Sequence, residues 1–411
     1  MRVIFWGRTL FGVVTTGALL ASCGDVRTES LATNTEALVG DAFTGLTSDQ
    51  QLAFDDGKDA FEEEEAITDG LGPVFNEKSC ANCHSVGAVG GSGTQFEVRA
   101  GKLTGTSFDS LTTEGGQLFD LFSVTSLPGN QKHLVPNCTL AKSGEPIPGD
   151  ANVVAQRRTT ALFGLGLVDA TPDATFVALA AAEPPAFRGR VNMVFNIAAG
   201  QNTVGKFGWK AQVPTLHQFS GDAYLNEMGI TNPEFSVEQP PSGNAGLVAD
   251  CDLVAEPEDD GDDVDAFTDF MQLLAPVDPL PENTFAQVGD ALFTQIGCDG
   301  CHRRNLTSGP SPIAALNNQT YHPFSDFLLH DMGTLGDGIG NNGLATVREM
   351  RTAPLWGIRL LMPKNLLHDG RAKSFEAAIL AHDGQGANAR NAFAALTGTQ
   401  KAQVVEFLGT L

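Results

Sequence analysis

The sequence is poor in positive charge. Its 411 residues carry 25 Lys and Arg against 49 Asp and Glu, a formal net charge of −24. That balance excludes nucleic acid and anionic lipid surfaces as electrostatic partners, since both repel it, and any steered partner is basic. Charged residues of both signs reach only 18% while hydrophobic residues reach 42%, which excludes a disordered acidic chain and leaves enough apolar mass for a packed core. Long apolar runs are scarce as well. Past residue 20 no stretch approaches the ~18 residues that a spanning helix needs. Glycine (46) and proline (21), by contrast, are plentiful. They point to many loops around short helices, in a chain whose length suggests two or three domains.

Residues 1–23 read as a targeting segment. Arg2 and Arg8 precede the apolar stretch Leu10 to Leu20, which ends in Leu20-Ala21-Ser22-Cys23. That ending looks like a bacterial lipobox, in which Cys23 becomes an acylated N-terminus. An ordinary signal peptide is the other reading. Two or three acyl chains, at ~0.8 kcal/mol per buried CH₂, anchor stably where one is marginal. Both readings place the protein outside the cytoplasm. The first puts it in the cell envelope, lipid-anchored in the periplasm or at the outer membrane. Residues 24–46 then read as a flexible tether.

Of the seven cysteines, six remain to be sorted, and four of them fall into one motif used twice. Cys80-Ala81-Asn82-Cys83-His84 and Cys298-Asp299-Gly300-Cys301-His302 are both C-x-x-C-H, the pattern of covalent haem c attachment. Two thiols three residues apart on one helical turn can reach the two vinyl groups of a haem, and the adjacent histidine offers its imidazole to the iron. The sequence therefore implies two covalently bound haem c groups, with His84 and His302 as proximal ligands. Covalent attachment outside the cytoplasm agrees with the targeting segment. Cys138 and Cys251 are left, either as a disulfide, which an exported compartment favours, or as two buried thiols.

The chain is expected to be mainly α, with two cytochrome c-like haem domains of which the N-terminal one, 47–275, carries large loop-rich insertions. A helix over 47–65 leads into the first motif, with Glu62–Glu65 read as a solvated face. Residues 85–150 read as loop, and 157–182 as helices beside a haem pocket. The acidic run from Glu256 to Asp263 could hold Ca²⁺. It lacks the spacing of a calcium loop, so a solvated linker is the reading adopted. In the C-terminal domain, 283–411, Phe285, Val288, Gly289, Leu292, Phe293 and Ile296 make one face of a helix running into Cys298. A closing helix capped by Thr399 carries Ala402, Val405 and Leu408.

Beyond the haem motifs, further markers are distinctive. They include Gly70-Leu71-Gly72-Pro73, Phe207-Gly208-Trp209-Lys210 and Asn226-Glu227-Met228-Gly229, then Arg351-Thr352-Ala353-Pro354-Leu355-Trp356 and His368-Asp369-Gly370-Arg371. With these, residues 48–411 resemble the bacterial di-haem oxidoreductases, also called thiol oxidoreductase-like proteins, distant relatives of di-haem cytochrome c peroxidases. The resemblance implies that peroxide or O₂ is activated at the N-terminal haem, while the C-terminal haem relays electrons to or from an exported partner.

It also implies roles for particular residues. Glu227 matches the pocket carboxylate that moves protons on and off peroxide, Gln218 the amide that orients it, and Trp209 the tryptophan between the haems. The interval after His368 brings His382 to the place of the sixth ligand of the C-terminal haem, with Met332, Met362 and His330 as alternatives. His133 and His217 are candidates for a removable ligand of the first haem. Arg371 is placed to pair with a haem propionate. Against the peroxidase-like enzyme stand a non-enzymatic di-haem electron-transfer protein and a surface sensor of iron or haem.

Overall fold

The structure is a computed structural model that describes residues 38–361 and 365–411. The lipobox Cys23, the segment before it, most of the tether and Met362 lie outside those residues. Among the described residues no helix is long and apolar enough to cross a membrane.

Helices start where the sequence supplies caps. In α1 (Ser48–Glu62) the Thr47 hydroxyl accepts from the Gln50 N–H, and the Gln50 side chain accepts in return from the Thr47 N–H, a reciprocal capping box. The helix ends at Glu62, before the end of the acidic run. Glu65 beyond it is not the solvated carboxylate expected, because the Tyr224 hydroxyl donates to it at 3.0 Å and burial pushes it up to about 7. The haem motif itself opens the one-turn helix α2 (Cys80–Cys83), capped by Ser79. Three further helices shape the first half of the fold and the start of the second: α3 (Leu216–Met228), α4 (Asp262–Leu273) and α5 (Thr284–Gln295). Near the C-terminus come α6 (Phe375–Leu380) and α7 (Gly398–Leu408), the latter capped by Thr397 rather than Thr399.

The fold is mixed, with 36% helix and 15% strand, where mainly helix was expected. The difference arises in the glycine-rich region read as loop. There β1 (Phe96–Thr104) pairs with β2 (Ser107–Asp109) and β3 (Leu118–Phe119) on one edge, and with β4 (Val153–Arg158) on the other. The longest of these pairings joins residues more than fifty positions apart, which no local pattern reveals. Two hairpin-like pairs follow: β5 (Asn192–Asn196) with β6 (Gln201–Gly205), and β7 (Leu329–Asp331) with β8 (Glu349–Arg351). The stretch Arg157 to Ala182, read as helical, begins at the end of β4 and then forms the short helices Leu165–Asp169 and Asp173–Ala182.

Two apolar cores result. The larger gathers Phe54 and Phe61 of α1, Phe267 and Phe270 of α4, and Tyr224 of α3, and it also draws in Leu306, Tyr321, Phe327 and Trp356 from the last third of the chain. The smaller joins Leu292 and Phe293 of α5 to Phe324, Phe375, Phe393, Val404 and Phe407. The helix preceding each haem motif crosses a partner at a glycine. A Cβ on Gly57 of α1 would collide with the Ala266 carbonyl of α4, and one on Gly289 of α5 with the Gln403 carbonyl of α7. Only hydrogen lets the two backbones come that close.

Cys138 and Cys251 form a disulfide, tying the loop after β3 to the helix Ala245–Cys251. The acidic run is a solvated linker only in part. Thr231 donates to Glu258 through both N–H and hydroxyl, and a buried Asp259 carboxylate accepts the N–H groups of Gly261 and Asp263 at the start of α4. Glu258 and Asp259 are thereby tied to the chain, while Glu256, Asp260 and Asp262 stay exposed. Among the described residues the only group of three acid, His or Cys ligand atoms lying within 4.8 Å of one another is Cys301, Asp326 and His330.

Candidate functional site

A cavity of about 1220 Å³, mouth included, opens beside the first C-x-x-C-H motif. Cys80, Cys83 and His84 line it, as do Trp209 and Glu227. The two thiols are not bonded to each other, and burial pushes that of Cys80 up to about 12. His84 is oriented by its Nδ1–H, which donates to the Gly91 carbonyl at 3.2 Å. Burial drops its imidazole to about 4, so at neutral pH it is uncharged with its Nε2 lone pair free, the state a metal requires.

The opposite wall comes from α3 and from the sheet. Glu227, near the end of α3, accepts from the Asn76 side-chain amide at 2.7 Å, and its carbonyl accepts the Asn76 N–H. Burial first, and then the charge of Glu97, push the Glu227 carboxyl up to about 8. Glu97 itself would also rise on burial, but Arg99 at 2.8 Å and Arg157 at 3.7 Å hold it below the usual carboxylate range. One member of this carboxyl pair is thus charged and the other protonated at neutral pH. Glu97 and Arg157 are direct cross-strand partners in the β1–β4 register, and Arg99 is two residues along the same face. Sequence reading missed both Glu97 and the arginines, since the strand pairing that assembles them is long-range.

Gln218 does not join this site. Its side-chain oxygen accepts the Ile197 N–H and its amide donates to the Phe195 carbonyl, both on the β5–β6 turn. The reason is helical geometry: nine residues are two and a half turns of α3, so Gln218 and Glu227 point in opposite directions. The amide side chains lining the cavity belong to Asn76, Gln95, Gln212 and Asn226. His133 and His217 also stay outside. The first bonds within its own turn, and the second pairs on the surface with Glu234 and Asp265.

Trp209 lies where the cavity meets the last third of the chain. Its indole N–H donates to the Arg158 carbonyl at 2.7 Å, the Arg158 N–H donates to the His368 carbonyl at 2.6 Å, and the Trp209 and His368 rings meet edge to face with centroids 6.1 Å apart.

Two arginine atoms test whether a haem suits the cavity. Arg157 Nη1 and Arg158 Nε are buried there without a hydrogen-bond partner. Arg158 has no acidic neighbour at all, and burial alone lowers its guanidinium to about 10. An unmatched buried cation in a cavity wall calls for an anion from the ligand, and a haem brings propionates. Arg371, given that role from sequence, is exposed, ion-paired with Asp369 of its own turn, and absent from the cavity lining.

At the second motif the fit is set by two imidazoles. His302 Nδ1–H donates to the Phe324 carbonyl at 2.9 Å, and His382 Nδ1–H donates to the Ala378 carbonyl at 2.8 Å. Both Nε2 atoms are left free, and burial lowers both rings into the neutral form. The ring centroids lie 6.4 Å apart. An iron bonded to both nitrogens at about 2 Å, with about 1.1 Å from each nitrogen to its ring centre, would place them about 6 Å apart. His330, an alternative ligand, is instead buried against Asp326 at 3.0 Å, with the Cys301 sulfur 3.6 Å from its other nitrogen. Met332 lies beside His382 around Gly386.

The family comparison agrees with a haem protein. The family described as "Di-haem oxidoreductase, putative peroxidase" matches residues 147–411. That stretch begins after the first haem motif, whereas the sequence resemblance extends back to residue 48. Among solved structures, the chain is similar to hydrazine synthase of Kuenenia stuttgartiensis, pressurised with xenon, at 15% identity. The likeness covers 98% of this chain and 100% of that one, with a TM-score of 0.39. No curated protein matches.

Proposed function

The chain belongs to the di-haem oxidoreductase family, and from that premise we propose an exported c-type cytochrome that reduces peroxide, or O₂, at its N-terminal haem. Cys80 and Cys83 hold that haem with His84, and Cys298 and Cys301 hold the second with His302 and His382. Each haem centres a cytochrome c-like unit, 47–275 and 283–411, a reading supported by the repeated arrangement of glycine-crossed helices around each motif. Cys23 anchors the protein to the membrane from the envelope side. A basic exported donor, attracted by the net charge of −24, delivers electrons.

Bound haem supplies the iron at which peroxide binds and exchanges electrons. The protein's own part is proton management and a route between the sites. Reduction of one peroxide takes up two electrons and two protons and yields two waters. Glu227 removes the proton from one peroxide oxygen and returns it to the other, which leaves as water. The Asn76 amide holds the carboxyl in place, and the charged Glu97 keeps it basic enough to act. Trp209, bonded to Arg158 and packed on His368, bridges the cavity wall and the C-terminal third.

The observation that carries this reading is the buried Glu227 carboxyl in the same cavity as His84. A pure electron carrier has no use for an acid–base group beside its iron. The test is the ferric spectrum of the holoprotein before and after stoichiometric hydrogen peroxide, in the oxidised and half-reduced states. One high-spin haem that reacts rapidly is expected. Two low-spin haems inert in both states would overturn the enzyme and leave the electron-transfer protein.

A further inference from the structure

Glu227 is half-buried in the wall of the cavity that a haem would fill, and every turnover consumes protons, so a filled cavity calls for a supply through the wall behind it. A second cavity, of about 340 Å³, lies on the other side of α3. Asp120, Glu145 and Glu238 line it, and Asn226 lines both this cavity and the large one. The Asp120 Oδ1 and Glu238 Oε2 atoms are buried and have no hydrogen-bond partner. Around Asp120 the charged neighbours are Glu145, Glu227 and Glu238, all acids, and no cation offsets them.

Asp120 is fixed at both ends of its backbone. Its N–H donates to the Glu145 carboxylate at 3.2 Å, and its carbonyl accepts the Glu145 N–H at 3.0 Å. The next residue, Leu121, lines the large cavity and donates its N–H to Asn76, the same side chain that holds Glu227. Burial first, and then these acidic neighbours, keep Asp120 protonated well above the carboxylate range, and burial raises Glu238 to about 9. Exposed Val237 and Gln239 flank Glu238 at the surface.

We propose that Asp120 is a proton relay that carries protons from the Glu238 cavity to Glu227. The proposal rests on Glu227 being the acid–base group of the large cavity. A proton arriving at Glu238 passes to the unpaired Oδ1 of Asp120, while Asp120 releases the proton from its other oxygen towards Glu227. Rotation of the Asp120 carboxyl brings its proton back to the starting side, Glu238 takes up a new proton, and one proton has crossed the wall to Glu227. An apolar or permanently charged side chain at position 120 could not do this. Only a neutral acid among acids both accepts and donates without leaving a stable charge behind.

The test uses the full-length holoprotein with hydrogen peroxide as substrate. Asp120→Asn should slow the peroxide reaction tenfold or more and raise its solvent isotope effect, with both haem spectra and the melting temperature unchanged. Asp120→Glu should restore most of the rate. Independently of turnover, the infrared difference spectrum of wild type minus Asp120→Asn at neutral pH should show one protonated-carboxyl stretch, with those of Glu227 and Glu238 cancelling. If Asp120→Asn reacts like wild type while Glu227→Gln is slow, the relay is overturned and the acid–base reading stands. If Glu227→Gln also reacts like wild type, both fall together. A slow Asp120→Asn that Asp120→Glu does not rescue, or a difference spectrum without that stretch, overturns the relay in favour of a structural role.

Discussion

Replacing Glu227 with glutamine separates what this carboxyl does for catalysis from what it does to the fold. The Asn76 amide still finds an oxygen acceptor on glutamine, so the wall of the cavity stays in place. What is lost is a titrating group raised from an ordinary 4.5 to about 8. In the wild type the folded state holds this proton over a range where the unfolded chain has released it. The contribution is complete below 4.5 and is lost as pH rises through 8, at about 1.4 kcal/mol per pH unit. Shared with the coupled Glu97, it amounts to a few kcal/mol. At about 2.1 cal/mol/K per residue of unfolding entropy, that is roughly a few degrees of melting temperature. The variant lacks this titration, so its melting temperature should fall less between pH 5 and pH 9 than that of the wild type. Its reaction with peroxide should be slower by about 10²–10⁴-fold and should lose the rise with pH that the wild type shows as Glu227 ionises near 8. Thermal melts and stopped-flow spectra across that range measure both effects. Parallel melting curves would refute the buried, proton-holding carboxyl, and an unchanged rate would remove it from the chemistry.

Other substitutions probe the remaining parts. His382→Ala should convert the second haem from low-spin to high-spin in the ferric spectrum while both haems stay attached. An unchanged spectrum would assign the sixth ligand elsewhere. Arg158→Leu should lower the reduction potential of the first haem, because a propionate loses its only unmatched cation, with little change in melting temperature. A potential equal to that of the wild type would remove Arg158 from haem binding. Opening the disulfide with Cys138→Ser and Cys251→Ser releases residues 113 apart. In the chain-entropy account that costs about 5 kcal/mol, and a melting temperature lowered by less than a degree would contradict it.

How much of the site could be read in advance varies with the distance over which it is assembled. The candidate proximal histidines were legible because C-x-x-C-H is a contiguous motif whose proposed chemistry demands that spacing. The candidate sixth ligand, His382, was reached through the interval after His368, and α6 delivers it facing His302. Gln218 was misplaced for the converse reason: an interval carried over from relatives ignored that nine residues of one helix reverse direction. Glu97, Arg157 and Arg158 left no local sign, because their meeting depends on β1 pairing with a strand more than fifty residues on. The same long-range pairing turned an expected loop region into a sheet.

Contiguous features were legible in the order of residues alone: two C-x-x-C-H turns, the amphipathic helix entering the second, and two cysteines left over. Folding decided everything that depends on burial and on partners from distant segments. Those include a Glu227 raised in its proton affinity, an arginine without a counter-charge, two imidazoles with centroids 6.4 Å apart, and a group of acids around Asp120. Spacing along a chain records which groups are present, but a carboxyl's proton affinity is set by the water it loses and the charges it meets, and both are properties of the packed molecule.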